Sequence, residues 1–187
     1  TDKPTAFVNV LQGVEGAKVL HWASNDSFAS DLLLVTSQGT IKRMVADDLA
    51  GGDRKGGISI IKLDAGEKIV ALLPFSEDVP VLIATAKGQA IRFVPSDVRP
   101  MGRTAAGVRG IKLLPGDTVA GAVNAPDEGE VVLVHSKGMA KRLRGNDFPL
   151  QGRAGKGVKL AAGGRHGDIT IVAPVIPLLA RLADNTV

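Results

Sequence analysis

The sequence contains no cysteine and no tyrosine, and aromatic residues amount to 3% of its 187 positions, with one tryptophan, Trp22. Lacking cysteine, it has no disulfide framework, no thiolate nucleophile and no sulfur ligand for zinc, a composition that fits a cytoplasmic protein. So few aromatics leave little to stack the bases of a single strand and few of the anchors that dominate protein interfaces. No apolar run approaches the roughly 18 residues of a membrane-spanning helix, so no membrane partner is expected. The opening Thr1-Asp2-Lys3-Pro4 has none of the features of a signal peptide. Histidine is scarce too: His21, His135 and His166 share no spacing that would gather a metal. Gly163-Gly164-Arg165-His166-Gly167 is rich in glycine but departs from the phosphate-binding P-loop pattern. No catalytic residue, metal site or cofactor is therefore expected in this chain.

What is present is a set of short apolar runs and an excess of bases. The content of 44% hydrophobic and 22% charged residues is that of a globular domain able to bury a core. The net charge of +4 matters because it is clustered. Residues 137–165 hold eight bases against one acid, Asp147, and residues 99–112 hold four bases and no acid. A single basic run reads first as a solvated face. Recurrence at one phase of a repeat points instead to a polyanionic partner.

That repeat is explicit. Gly39, Gly88 and Gly138 are 49 and 50 residues apart. Four residues after each comes a base (Arg43, Arg92, Arg142), and nine after each an aspartate (Asp48, Asp97, Asp147). A glycine-rich basic loop follows in each copy, at 51–57, 101–107 and 151–157, ending on Gly57, Gly107 and Gly157. A period near fifty is the signature of a propeller or solenoid. The chain reads as one repeat domain over 1–187, with repeats at 31–75, 80–125 and 130–175 flanked by half-repeats at 6–24 and 176–187.

Within a repeat, an aliphatic run (32–36, 81–85, 131–135) leads into a glycine turn of hairpin type. The return strand alternates, which predicts Ile91 and Phe93 on one face and Arg92 facing out. A third strand is predicted at 58–63, 108–113 and 158–160, and a fourth at 68–73, 118–123 and 169–172. Four short strands per period without an amphipathic helix give an all-β, blade-like fold, of roughly four blades or a fragment of a larger ring. The aspartates are expected to cap turns, as Asp does through its own backbone.

Residues 91–119, IRFVPSDVRPMGRTAAGVRGIKLLPGDTV, closely resemble a blade of the C-terminal domain of the bacterial DNA gyrase A subunit. The topoisomerase IV A subunit carries a related domain, and the resemblance extends over about residues 8–187. It implies a β-pinwheel, a ring of four-stranded blades that exchange strands and carry a basic outer rim. It also implies a non-catalytic module that binds, bends and wraps double-stranded DNA for an ATP-dependent type IIA topoisomerase. Such enzymes cut DNA through a tyrosine, which this chain lacks. The implied partners are duplex DNA, the ATPase B subunit of the enzyme, and the catalytic N-terminal part of the same A subunit; the implied location is the bacterial cytoplasm, at the nucleoid.

The gyrase signature box, Gln-basic-Arg-Gly-Gly-basic-Gly, is matched at Gln151, Arg153, Gly155, Lys156 and Gly157. It is broken at Gly152, where a base is expected, and at Ala154, where glycine is expected. Asp53-Arg54-Lys55-Gly56-Gly57 is a weaker echo. These departures leave gyrase and topoisomerase IV both open as the parent enzyme.

Candidate phosphate-contacting residues are Arg43, Arg54, Lys55, Arg92, Arg99, Arg103, Arg109, Lys141, Arg142, Arg144, Gln151, Arg153, Lys156 and Arg165. Bases on loop crowns neutralise phosphates and release counterions, and neighbouring glycines let the backbone approach the duplex. For Arg43, Arg92 and Arg142 the competing reading is a solvated strand face, or a pair with the aspartate five residues on. The competing reading for the whole domain is a propeller-like scaffold that binds an acidic protein partner.

Overall fold

The computed structural model describes residues 31–49, 58–160 and 166–175. Both half-repeats, and Arg54, Lys55 and Arg165 among the candidates, lie outside the described residues. Among the described residues there are eleven strands: β1 (Leu32–Thr36), β2 (Thr40–Met44), β3 (Ile69–Pro74), β4 (Val81–Thr85), β5 (Gln89–Phe93), β6 (Val108–Arg109), β7 (Val119–Asn124), β8 (Glu130–His135), β9 (Ala140–Arg144), β10 (Val158–Lys159) and β11 (Ile169–Pro174). They form three antiparallel sheets in the orders β3-β1-β2-β6, β10-β5-β4-β7 and β11-β8-β9. Among the described residues there is no α-helix, and each second strand runs into a short 3-10 turn.

Each hairpin is closed by glycine at positive φ, 82° at Gly39, 86° at Gly88 and 81° at Gly138, the backbone such a tight turn needs. The aspartates lie in the 3-10 turns that follow, where Asp147 Oδ2 accepts the Arg144 N–H at 2.8 Å. The apolar residue after each aspartate is driven inward in the second and third repeats: Val98 and Phe148 are buried against the preceding blade.

Strand parity sets which blade each side chain faces. Leu33, Val35 and Ile41 of the first sheet pack on Val81, Ile83, Ile91 and Phe93 of the second. The other face of the second sheet, Leu82, Ala84 and Ala90, packs on Val131 and Leu133 of the third. Every residue of β4 is therefore buried, because the middle blade has neighbours on both sides.

The third strands do not stay in their own repeat. β6, from the second repeat, pairs with β2 of the first (Thr40 opposite Arg109, Ile41 opposite Val108). β10, from the third, pairs with β5 of the second (Ala90 opposite Val158, Gln89 opposite Lys159). These strands are also only two residues long, shorter than the sequence predicts. After Arg109 the chain turns in, and the N–H groups of Gly110 and Ile111 both donate to the Gly39 carbonyl, at 2.7 and 3.2 Å. Residues 58–63, predicted as a third strand, form no strand.

Candidate nucleic-acid interface

The exchanged strands place the glycine-rich loops. In each sheet the fourth strand (β3, β7, β11) occupies one edge, and these edges pack against one another from blade to blade. β6 and β10 close the opposite, outer edge of the first and second blades. The loop before each exchanged strand follows that same edge: the Met101 N–H donates to Arg43 O and the Gln151 N–H to Arg92 O, both at 2.9 Å. Gly107 and Gly157 end the loops at φ 97° and 71°. A Cβ on Gly157 would lie 2.1 Å from the Ala90 oxygen, so only glycine lets the loop lie this close to the strand.

Successive loops also touch. The Ala154 N–H donates to Gly110 O at 2.8 Å and the Lys112 N–H to Gly155 O at 2.8 Å, while Arg153 Nη1 donates to the Arg109 carbonyl. The result is a continuous outer edge that carries Arg99, Arg103, Arg109, Lys112, Lys156 and Lys159 exposed, and Arg153 and Gln151 partly exposed. No acid occurs in 99–112 or 148–160. Lys141, Arg142 and Arg144 lie exposed on β9, the outermost strand of the third sheet among the described residues.

The three strand arginines fare differently. Arg92 is 2% exposed, and its guanidinium is fully engaged: Nε donates to Ala125 O at 2.9 Å, Nη1 to Phe148 O at 3.3 Å, and Nη2 to Asp127. The expectation that it faces out is corrected, because the third blade covers that face; Arg92 is not available to DNA. Arg43 is held by Asp31, Nε to Oδ2 at 2.7 Å, and its Cζ lies 3.6 Å from the centroid of the Phe75 ring. Arg142 pairs with Glu130 at the surface. None of these partners is the aspartate five residues on that the sequence suggested.

One basic residue outside the candidate set is also fixed within the fold. Lys42 is fully buried, and its Nζ donates to three backbone carbonyls, of Ile60 at 2.8 Å and of Arg103 and Ala105 at 2.9 Å. Burial pushes its pKa below the ordinary 10.5, partly opposed by the charge of Asp48. Its apolar setting was signalled by the second repeat, which has Ile91 at the same place.

A family model described as DNA gyrase C-terminal domain, beta-propeller, matches residues 30–76, 80–126 and 129–165. The chain belongs to this family. It is 35% identical over 108 residues to the DNA gyrase A subunit of Chlamydia pneumoniae, covering 55% of this chain and 13% of that protein. It is 42% identical over 76 residues to the DNA gyrase A subunit of Kosmotoga olearia, covering 40% of this chain and 9% of that one. The chain thus spans about an eighth or less of the length of these relatives. Among solved structures, a DNA gyrase A C-terminal domain superposes with a TM-score of 0.67 at 27% identity, over 78% of this chain and 49% of the other. The C-terminal domain of a DNA topoisomerase IV superposes with a TM-score of 0.70 over 78% of this chain and 46% of the other, and at 23% identity it bears on the fold alone.

Within this gyrase-type propeller family, the two departures from the signature box acquire a geometry. Ala154 has φ 71°, the one non-glycine residue at positive φ among the described residues, so the box glycine is missing at a place whose backbone still adopts the glycine conformation. Gly152, where a base is expected, is exposed, and a Cβ there would meet nothing within 4 Å. The loop thus holds a glycine-type backbone at Ala154 and has one base fewer than the box.

Proposed function

We propose that the chain is a non-catalytic propeller, the DNA-handling module of a type IIA topoisomerase A subunit, which binds duplex DNA along its outer edge and bends it. The observation that carries this reading is the outer edge itself: the acid-free, glycine-rich loops at 101–107 and 151–157 and the exchanged strands β6 and β10 set bases at the same phase of successive blades. Bases spaced along a curved edge favour bent DNA, since bending costs a few kcal/mol that added phosphate contacts offset. Contacts of this kind track the backbone and carry little sequence information. The contacts we assign are Arg99, Arg103, Arg109, Lys141, Arg142, Arg144, Gln151, Arg153 and Lys156, together with Arg54, Lys55 and Arg165 on stretches outside the described residues. Arg43, tied to Asp31, has a lesser part. ATP hydrolysis belongs to the B subunit, cleavage to the catalytic part of the A subunit; these are the module's partners in the bacterial cytoplasm.

The test is binding of the chain to plain duplexes of increasing length over a range of salt, beside an Arg153→Ala, Lys156→Ala variant. Affinity that rises with length, falls steeply with salt and drops in the variant is the expected result. Binding that is weak, indifferent to length and unchanged in the variant overturns the reading and favours a scaffold for an acidic protein.

A further inference from the structure

From the three carbonyls around its ammonium, we infer that Lys42 is a positioning residue that sets the loop carrying Arg103 on the outer edge of the first blade. The inference rests on the DNA-binding reading and goes beyond it, because Lys42 itself is fully buried.

Lys42 lies on β2 opposite Leu34, on the face it shares with Met44. Its stem crosses this apolar surface, and its Nζ emerges under the loop of the next repeat. There it joins Arg103 O and Ala105 O of that loop to Ile60 O of its own repeat. Three donors meet three acceptors, and among the described residues no carboxylate lies within ion-pair distance. An ammonium buried without a close ion pair is costly unless every donor is used, so the cage holds the loop at 103–105 and the segment at Ile60 in one arrangement.

The other repeats show what the lysine replaces. At the second junction the same position is Ile91, and a Cβ on Gly155 would lie 3.6 Å from its Cδ1, so Ile91 also sits beneath a loop. That loop is fastened by its own backbone, Ala154 N–H to Gly110 O and Lys112 N–H to Gly155 O. Ile60 is the counterpart of Gly110 in the repeat register. The carbonyl that takes a backbone N–H at one junction takes the lysine at the other. In the third repeat the position is Lys141, exposed on β9 where no described loop covers it. The first junction is thus locked by a side chain and the second by the main chain.

The experiment is a double-substitution cycle on DNA affinity in the whole chain. Arg103→Ala should weaken binding to a plain duplex about tenfold in the native background. With Lys42→Met it should weaken it less than about twofold, because the loop no longer holds Arg103 in place. Arg153→Ala should cost the same factor in both backgrounds, which separates a local effect from general loosening. Lys42→Ile, the residue of the second repeat, provides a second background if methionine is not tolerated. An equal effect of Arg103→Ala with and without Lys42 overturns the inference. Loss of any effect from both Arg103→Ala and Arg153→Ala in the native chain overturns the DNA reading as well. The native protein offers a check without substitution: the Lys42 ammonium protons should exchange slowly enough with water to be seen by NMR near neutral pH. Rapid exchange rules out the closed cage.

Discussion

Arg142 reaches back twelve residues to Glu130, and in the first repeat Arg43 reaches back the same twelve to Asp31. The acid stands at the start of the first strand, Asp31 just before β1 and Glu130 as the first residue of β8, and in the second repeat that place is held by Pro80. Arg92, without an acid at that place, turns into the junction, where it satisfies the Ala125 and Phe148 carbonyls and pairs with Asp127. Replacing it by Met leaves two buried acceptors without donors, each worth about 1–3 kcal/mol. Arg92→Met should lower stability by about 2–4 kcal/mol in a denaturant melt, with DNA affinity unchanged where the protein remains folded. A loss of affinity without loss of stability would return Arg92 to the binding surface.

The Arg142–Glu130 pair is exposed and contributes little to stability. Its acid also tempers a strand that bears Lys141, Arg142 and Arg144. Glu130→Gln should leave the melting temperature nearly unchanged and tighten duplex binding about two- to fivefold at low salt, with the gain fading as salt is added. Unchanged binding at low salt would take β9 off the DNA path.

Ala154 holds a φ of 71° that an L side chain adopts at a cost of about 1–2 kcal/mol. Glycine relieves this strain and loses some of it to the greater freedom of the unfolded chain. Ala154→Gly should raise stability by about 0.5–1 kcal/mol, read as a rise of a few degrees in Tm. A lower Tm would mean the loop turns elsewhere.

At Gly152 the neighbouring space is open, so a long side chain enters without clash. Gly152→Lys should preserve the fold, tighten duplex binding and steepen the log–log salt dependence by about one. A salt slope equal to that of the native chain would show that this loop crown does not face phosphate.

Lys42 sets a pH dependence of definite sign. Its pKa in the folded protein lies below 10.5. Below the lowered value both states carry the proton and the burial penalty is fully present. Between the two values only the unfolded chain keeps it, so this residue's contribution to stability grows as pH rises toward 10.5. Denaturant melts from pH 8 to pH 10.5 should show that gain in the native chain relative to Lys42→Met. A difference that shrinks with rising pH would contradict the direction of the shift.

Much of this architecture was legible in the sequence. The glycine spacing gave the period, and the aliphatic runs and glycine turns gave the hairpins close to their observed bounds. The destination of the third strand was not legible from spacing, because a strand that pairs at home and one that pairs with its neighbour recur at the same interval. The burial of Arg92 follows from that exchange, since alternation along β5 presumes one open face and the middle blade has none. Lys42 is hidden for a similar reason: a lysine on an alternating strand reads as solvated. Two local signs pointed the other way: Ile91 at the same register, and an acid twelve residues before Arg43 and Arg142 but not before Arg92. The box-like loop was found by its residues, but only the backbone shows that Ala154 keeps a glycine's conformation.

The exchange of β6 and β10 also alters what a broken chain would do. The exposed turn at Pro126, Asp127 and Glu128 links the second blade to the third. A protease that nicks it severs the covalent link, yet β10 stays zipped to β5, and Phe148 stays seated among Leu82, Ala84 and Ala90. The two fragments should migrate together until denatured. The blades are stitched as well as strung.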